Sequence, residues 1–326
     1  MRVSRRAFVR LAGALPPLIS PAGRAQDLYP SRSIRLIVPF APGGITDTIA
    51  RIAAAAMSEQ LGQQMVIDNR GGAAAIIGTE AAAKAPKDGY SLLFATTSPL
   101  AANPHLYRNL PYRMEDFAPI SLVAVSPWLI AVNSSIGVRN VADLITYARR
   151  NSHAMNYAMI GRGSASHIFA EMVMAATGIR ATDVAYRGDG PGMTALVTNE
   201  VQLLSAGLSG PLLEHWRAGT IQIVGVGLPH RSPLAPTIPT FAEQGYPGVL
   251  ATSWFGFAAP VGTPALITER LQAACVASLS SATVHDRIAA TGAAPGASTP
   301  QEMQMVMRED SNRWGAQIAR LGLQLD

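Results

Sequence analysis

Ile34-Arg35-Leu36-Ile37-Val38-Pro39-Phe40-Ala41-Pro42-Gly43-Gly44-Ile45-Thr46-Asp47 joins a short aliphatic run to a turn of two prolines and two glycines. Residues 34–40 predict a strand. A helix is predicted directly after the turn, because Ile49, Ile52, Ala53, Ala56, Met57 and Leu61 recur at spacings of three and four. Gly62 stops it. Strand, tight turn and helix form the repeating unit of an α/β fold. The glycines let the backbone approach a ligand and expose N–H groups at a helix N-terminus, which favours an anion. An ordinary strand–helix turn capped by Thr46 or Asp47 accounts for the same residues. The stretch is neither a Walker loop nor a Gly-x-Gly-x-x-Gly dinucleotide turn.

The same alternation continues outward. Residues 65–68 predict the next strand, a small-residue helix runs through Lys84, and residues 90–96 predict a third strand. Parallel strands wound by right-handed crossovers would make this a Rossmann-like half. A second cycle starts near Trp128, with strands at 128–133, 155–159, 182–186, 201–205 and 221–226 and helices at 141–150, 165–177, 192–198 and 211–217. Residues 253–258 predict one more strand. The remainder is helical, at 264–280, 284–291 and 300–321, the last with Met303, Val306, Met307, Trp314, Ile318 and Leu321 on its buried face. This order predicts two Rossmann-like lobes: residues 26–126 and 254–326 form lobe 1, and residues 127–253 form lobe 2. Crossings near Ser126 and Trp254 would make a hinge and leave a cleft between the lobes, where ligands of α/β folds bind.

Three further segments end strands with chemistry-bearing residues. Gly161-Arg162-Gly163-Ser164-Ala165-Ser166-His167 opens a helix and offers a second set of N–H groups with hydroxyls. A nucleophilic Ser164 needs Gly-x-Ser-x-Gly, and Ser164 is followed by Ala165-Ser166. In Tyr186-Arg187-Gly188-Asp189, Arg187 is placed either to clamp a carboxylate or to pair with Asp189. Thr96-Thr97-Ser98 supplies three hydroxyls. The six histidines match no zinc spacing, and no cofactor motif is present, so neither metal nor cofactor is expected.

Composition narrows the class. Hydrophobic residues make up 48% of the 326 residues and charged residues 14%, which supports a large buried core. The net charge of +5 resides in the leader: Arg2, Arg5, Arg6, Arg10 and Arg24 lie within residues 1–25, which contain no acid. The balanced remainder has no basic run, which argues against nucleic acid as a partner. Residues 1–25 carry Ser4-Arg5-Arg6-Ala7-Phe8, a weakly apolar stretch, and Gly23-Arg24-Ala25. That order predicts a twin-arginine-type export signal cleaved after Ala25. The single cysteine, Cys275, lies in an apolar helical run and reads as a buried, inert thiol.

Taken in order, the segments resemble the Bug-type extracytoplasmic solute receptors of tripartite tricarboxylate transporters. The matching stretches include Tyr29-Pro30-Ser31-Arg32, residues 34–44 with Asp47, Asp68-Asn69-Arg70, Asp88-Gly89-Tyr90, Asn103-Pro104-His105-Leu106-Tyr107, Gly161-Arg162-Gly163-Ser164, Tyr186-Arg187-Gly188, and Ala259-Pro260-Val261-Gly262-Thr263-Pro264. The resemblance implies a type II periplasmic-binding-protein fold that closes like a Venus flytrap on a small organic carboxylate. It implies a periplasmic location, a membrane permease as partner, and no enzymatic activity. Carried over by position, the ligand contacts are Phe40, Gly43, Gly44, Thr46, Asp47, Thr97 and Ser98 from lobe 1. Gly163, Ser164, Ala165, Tyr186 and Arg187 supply them from lobe 2. The chain departs from the family pattern after Arg70, where a proline is usual, and at Ser205-Ala206-Gly207, where larger or acidic cleft residues are usual. The alternatives are an exported hydrolase using Ser164, His167 and Asp189, and a ligand sensor for a membrane signalling partner.

Overall fold

The structure, a computed structural model, describes residues 29–151, 155–186 and 188–325. The expected export signal lies outside the described residues, as does Arg187.

The opening stretch folds as strand β1 (Ile34–Val38), the turn, and helix α1 (Ile45–Leu61). β2 (Met65–Asn69), α2 (Ile76–Ala83) and β3 (Ser91–Thr96) complete the first cycle, with β2 and β3 both parallel to β1. A helical turn at Ser98–Ala102 runs into α3 (Asn103–Leu106), a helical stretch absent from the sequence reading. Pro99 and Pro104 each sit at the first helical positions, where the missing N–H costs no intrahelical bond.

β4 (Phe117–Asn133) is the largest departure from expectation. Its second half was predicted as a separate strand, but the strand runs unbroken through 17 residues. Up to Pro127 it pairs with β9, and from Trp128 it pairs with β7. The register against β9 shifts between Pro119 and Ser121 and again between Leu122 and Ala124, so bulges interrupt the pairing of its first half. The second cycle follows as α4 (Val141–Arg150), β5 (Asn156–Met159), α5 (Ala165–Thr177), β6 (Thr182–Ala185), α6 (Asp189–Val197), β7 (Leu203–Gly207), α7 (Gly210–Arg217) and β8 (Ile221–Val226). β9 (Thr252–Pro260), α8 (Ala265–Leu279), α9 (Ala282–Ala290), the two-residue β10 (Ala294–Pro295) and α10 (Pro300–Leu321) close the chain.

The strand order is β2-β1-β3-β9-β4-β7-β5-β6, with β8 and β10 also on β4. The sheet is therefore mixed, where the sequence predicted parallel pairing. Each flank is parallel, but β9 and β4 enter antiparallel and join the flanks. β9 returns from far along the chain, so no local pattern announces its direction.

Core packing agrees with the helix periodicities. Met303, Met307, Trp314 and Ile318 of α10 are buried against Trp254 and Leu100. Within that cluster Asp310 is 1% exposed. Its Oδ2 accepts from the indole N–H groups of Trp254 at 2.9 Å and Trp314 at 3.2 Å, and its Oδ1 accepts from Arg313 Nη2 at 2.6 Å. Burial pushes the Asp310 carboxyl above its ordinary range, against the pull of Arg313 and the two indoles. Cys275 is buried, and desolvation pushes its thiol up to about 12, so it is an inert packing residue.

Candidate functional site

The cavity lies where the carboxyl ends of β1, β3 and β5 face one another. Its volume is about 850 Å³. The turn after β1, the loop after β2, the ends of β3, β5 and β6, and Trp128 of β4 contribute to its wall.

The turn after β1 is held by Asp47. One carboxylate oxygen accepts from the Gly43 N–H and from Arg51 Nε, both at 2.9 Å, and the other accepts from Asn69 Nδ2 at 2.9 Å. Asn69 also donates to the Phe40 carbonyl at 3.1 Å, which ties the turn to the end of β2. Burial alone would raise the Asp47 pKa. The Arg51, Gly43 and Asn69 hydrogen bonds outweigh it and hold the carboxyl below its ordinary value. Gly43 has φ of 91°, a conformation natural to glycine. Gly44 is the N-cap of α1 and brings no side chain to cap it, and the Ile45 N–H at the helix start meets the Asp189 carboxylate instead.

The turn after β5 is built differently. Ser164 is the N-cap of α5: its Oγ accepts from the His167 N–H at 3.3 Å and donates to the Gly161 carbonyl at 2.8 Å. His167 Nδ1 accepts from the Gly163 N–H at 3.1 Å, and desolvation lowers its pKa, so the ring is a neutral acceptor. The His167 ring thus serves the turn. Among the described residues its hydrogen bonds assemble no Ser164–His167–acid relay. The Ala165 N–H crosses to Ser98 Oγ at 3.2 Å.

Phe40, Gly43, Gly44, Thr46, Ser98, Ser164 and Tyr186 line the cavity. Asp47, Thr97, Gly163 and Ala165 stand behind the lining. Asp47 braces the first turn, Thr97 Oγ1 accepts from the Trp254 N–H at 3.1 Å, and Gly163 packs against Tyr107 and Leu325. Arg187 lies outside the described residues. Ser205, expected on the cleft, is fully buried and donates to the Ser166 carbonyl at 2.7 Å, while Gly207 reaches the cavity.

Sequence reasoning missed the loop after β2. Ala73, Ala74 and Ala75 take φ of 46°, 50° and 73°, three successive left-handed residues on the cavity wall. Each costs roughly 1–2 kcal/mol. Asn103 Nδ2 donates to the Ala74 carbonyl at 2.9 Å and steadies the loop. Asp189 was also missed as a wall residue. It was read as preceding its helix, but α6 starts at Asp189, and its Oδ2 lies 3.2 Å from the position a Cβ on Gly44 would take. The Ile45 N–H favours its charged form, but burial dominates and raises its pKa to about 6. A second cavity of about 520 Å³ lies beyond this contact, bordered by α1, α6, α7 and α9. Among the described residues, no group of three or more His, Cys, Asp or Glu is placed to hold a metal ion.

Residues 49–323 match the family described as the tripartite tricarboxylate transporter family receptor. The chain belongs to this family. Protein BugT of Bordetella pertussis is 33% identical over 320 residues, covering 98% of this chain and 96% of BugT. The structure of the periplasmic binding protein BugD superposes with a TM-score of 0.85 at 31% identity, covering 91% of this chain and 99% of BugD. An R. palustris protein solved with adipate superposes with a TM-score of 0.86 at 36% identity, covering 91% and 99%. The receptor family's two-lobed α/β periplasmic-binding-protein fold of type II is thus the fold of this chain, with the mixed sheet described above.

Proposed function

We propose that this receptor captures a small organic carboxylate in the 850 Å³ cavity between its lobes and delivers it to the membrane permease of a tripartite transporter. The observation that carries this reading is the convergence of the N-terminal ends of α1, α5 and α6 on one cavity whose wall draws on residues from Pro39 to Phe255. Helix N-termini favour an anion by ~0.3–1 kcal/mol each when exposed and up to ~2 when partly buried. The R. palustris relative solved with adipate supports the same ligand class.

In this reading residues 26–126 and 254–326 make one lobe and residues 127–253 the other. The change of partner along β4, from β9 at Pro127 to β7 at Trp128, supports a hinge there. Phe40, Gly43, Gly44, Thr46 and Ser98 meet the ligand from the first lobe, and Ser164, Tyr186 and Arg187 from the second. Asp47, Thr97, Gly163 and Ala165 hold those contacts in place. Residues 1–25 direct twin-arginine export to the periplasm, where the ligand is met.

A thermal-shift screen of the chain from Gln26 onward against small organic acids tests the reading. A ligand that binds only the folded state stabilises it by RT ln(1 + [L]/Kd). At least one acid is expected to raise Tm clearly. If neither a shift nor a co-purifying acid after denaturing extraction is found, the capture reading fails.

A further inference from the structure

Among the described residues, four side-chain atoms are buried without a hydrogen-bond partner: Thr96 Oγ1, Asn103 Oδ1, Trp128 Nε1 and Asp189 Oδ1. Thr96, Trp128 and Asp189 line the 850 Å³ cavity, and Asn103 does not. Buried polar atoms are normally paired, so orphans gathered on one cavity mark groups that a ligand completes. Thr96 is 2% exposed and Trp128 7%, so bulk water does not satisfy them.

The three groups differ in what they accept. An indole N–H only donates, a hydroxyl donates or accepts, and an ionised carboxylate only accepts. Trp128 therefore calls for an acceptor on the ligand, and Asp189 for a donor. Asp189 is also the only charged residue on this cavity wall among the described residues. A ligand carboxylate placed against it would face a like charge in a partly buried site, whereas an N–H group would complete its Oδ1.

We propose that the ligand is a carboxylate carrying a second, N–H-bearing group, an ammonium or a primary amide, with Trp128 and Thr96 receiving the carboxylate and Asp189 selecting the N–H group. This deepens the receptor reading and rests on it. It separates this chain by ligand class from a relative that holds a dicarboxylate such as adipate. Asp189 acts as a specificity-determining residue: the site discriminates through the donor or acceptor its wall leaves unpaired, the kind of mismatch that costs most.

Calorimetric titration tests the assignment with matched sets of four, five and six carbons. Each set contains the diacid, the ω-amino acid and the diacid monoamide: succinate, 4-aminobutanoate and succinamate, glutarate with its two counterparts, and adipate with its two. At the best-fitting length, the amino acid or the monoamide is expected to bind wild type at least about tenfold more tightly than the diacid, the size of one charged hydrogen bond. The ammonium and amide arms decide which N–H group Asp189 prefers. Asp189→Asn is expected to erase an ammonium preference, and Asp189→Ser, with a shorter side chain, to erase either. Trp128→Phe is expected to weaken all members alike. Thermal melts of each variant establish folding. Tighter binding of a diacid by wild type, or a preference unchanged in folded Asp189→Asn and Asp189→Ser, overturns the inference and leaves the receptor reading standing. Failure of every compound to bind wild type overturns the inference, and the thermal-shift screen with denaturing extraction then decides the receptor reading separately.

Discussion

The hydroxyl oxygen of Ser98 accepts a hydrogen bond from the backbone N–H of Ala165 at 3.2 Å, joining the end of β3 to the first turn of α5. The two residues are 67 positions apart and lie on opposite lobes in the proposed division. In the proposed flytrap closure, this bond belongs to the closed state. Ser98→Ala leaves the Ala165 N–H without this partner. It is expected to weaken ligand binding by about fivefold, near 1 kcal/mol, with little change in the thermal stability of the ligand-free protein. Parallel titrations and melts of the variant and wild type check this.

Asp47 does not itself line the cavity, yet it should matter as much as any residue that does. It holds the Gly43 N–H, Arg51 and Asn69 together beneath the turn. Asp47→Ala leaves these groups unpaired and is expected to cost about 2–3 kcal/mol of stability and at least tenfold in affinity. Because its folded pKa lies below its ordinary value, the Asp47 contribution is present above pH ~4 and fades as pH falls through the folded pKa. The stability gap between wild type and Asp47→Ala should therefore narrow in acid, as urea melts at pH 7 and pH 3 would show.

Asp189 has the opposite sign. Burial lifts its folded pKa to about 6, above the unfolded value of 3.8, so folding takes up a proton between these limits. The ligand-free protein should lose stability from this group as pH rises from 4 to 6. The effect is bounded at about 3 kcal/mol by the two-unit shift. Asp189→Asn is expected to be more stable than wild type at pH 7, with the advantage shrinking as pH falls towards 4. Thermal melts across that window supply the comparison.

The Asp310 cluster provides a stability site well away from the ligand. Asp310→Ala strands the Trp254 and Trp314 indole N–H groups and Arg313, and is expected to cost about 3–5 kcal/mol. Asp310→Asn keeps an acceptor and should cost less. Denaturant titration of both variants tests the order.

The sequence made the strand–turn–helix cycles legible because each is local: aliphatic run, glycine turn and three-four periodicity lie within about thirty residues. α4, α5, β8 and α10 fall where the periodicity put them. β4 did not: only residues 128–133 were read as a strand, and its first half is held by β9, a strand more than 100 residues later. The cavity turns were legible for the same local reason. The division of labour within them was not. Asp47 looks like a helix cap until its contact with Asn69 is seen. Thr96, Trp128 and Asp189 acquire their meaning only from lacking partners in the folded state, a property no sequence pattern carries.

Closure around a carboxylate is the central claim, and small-angle scattering of the mature chain, with and without a saturating acid from the thermal-shift screen, tests it most directly. The account expects the radius of gyration to fall on binding as the Ser98–Ala165 and Asp189–α1 contacts come together. A tight ligand that binds stoichiometrically and leaves the scattering profile unchanged would contradict it.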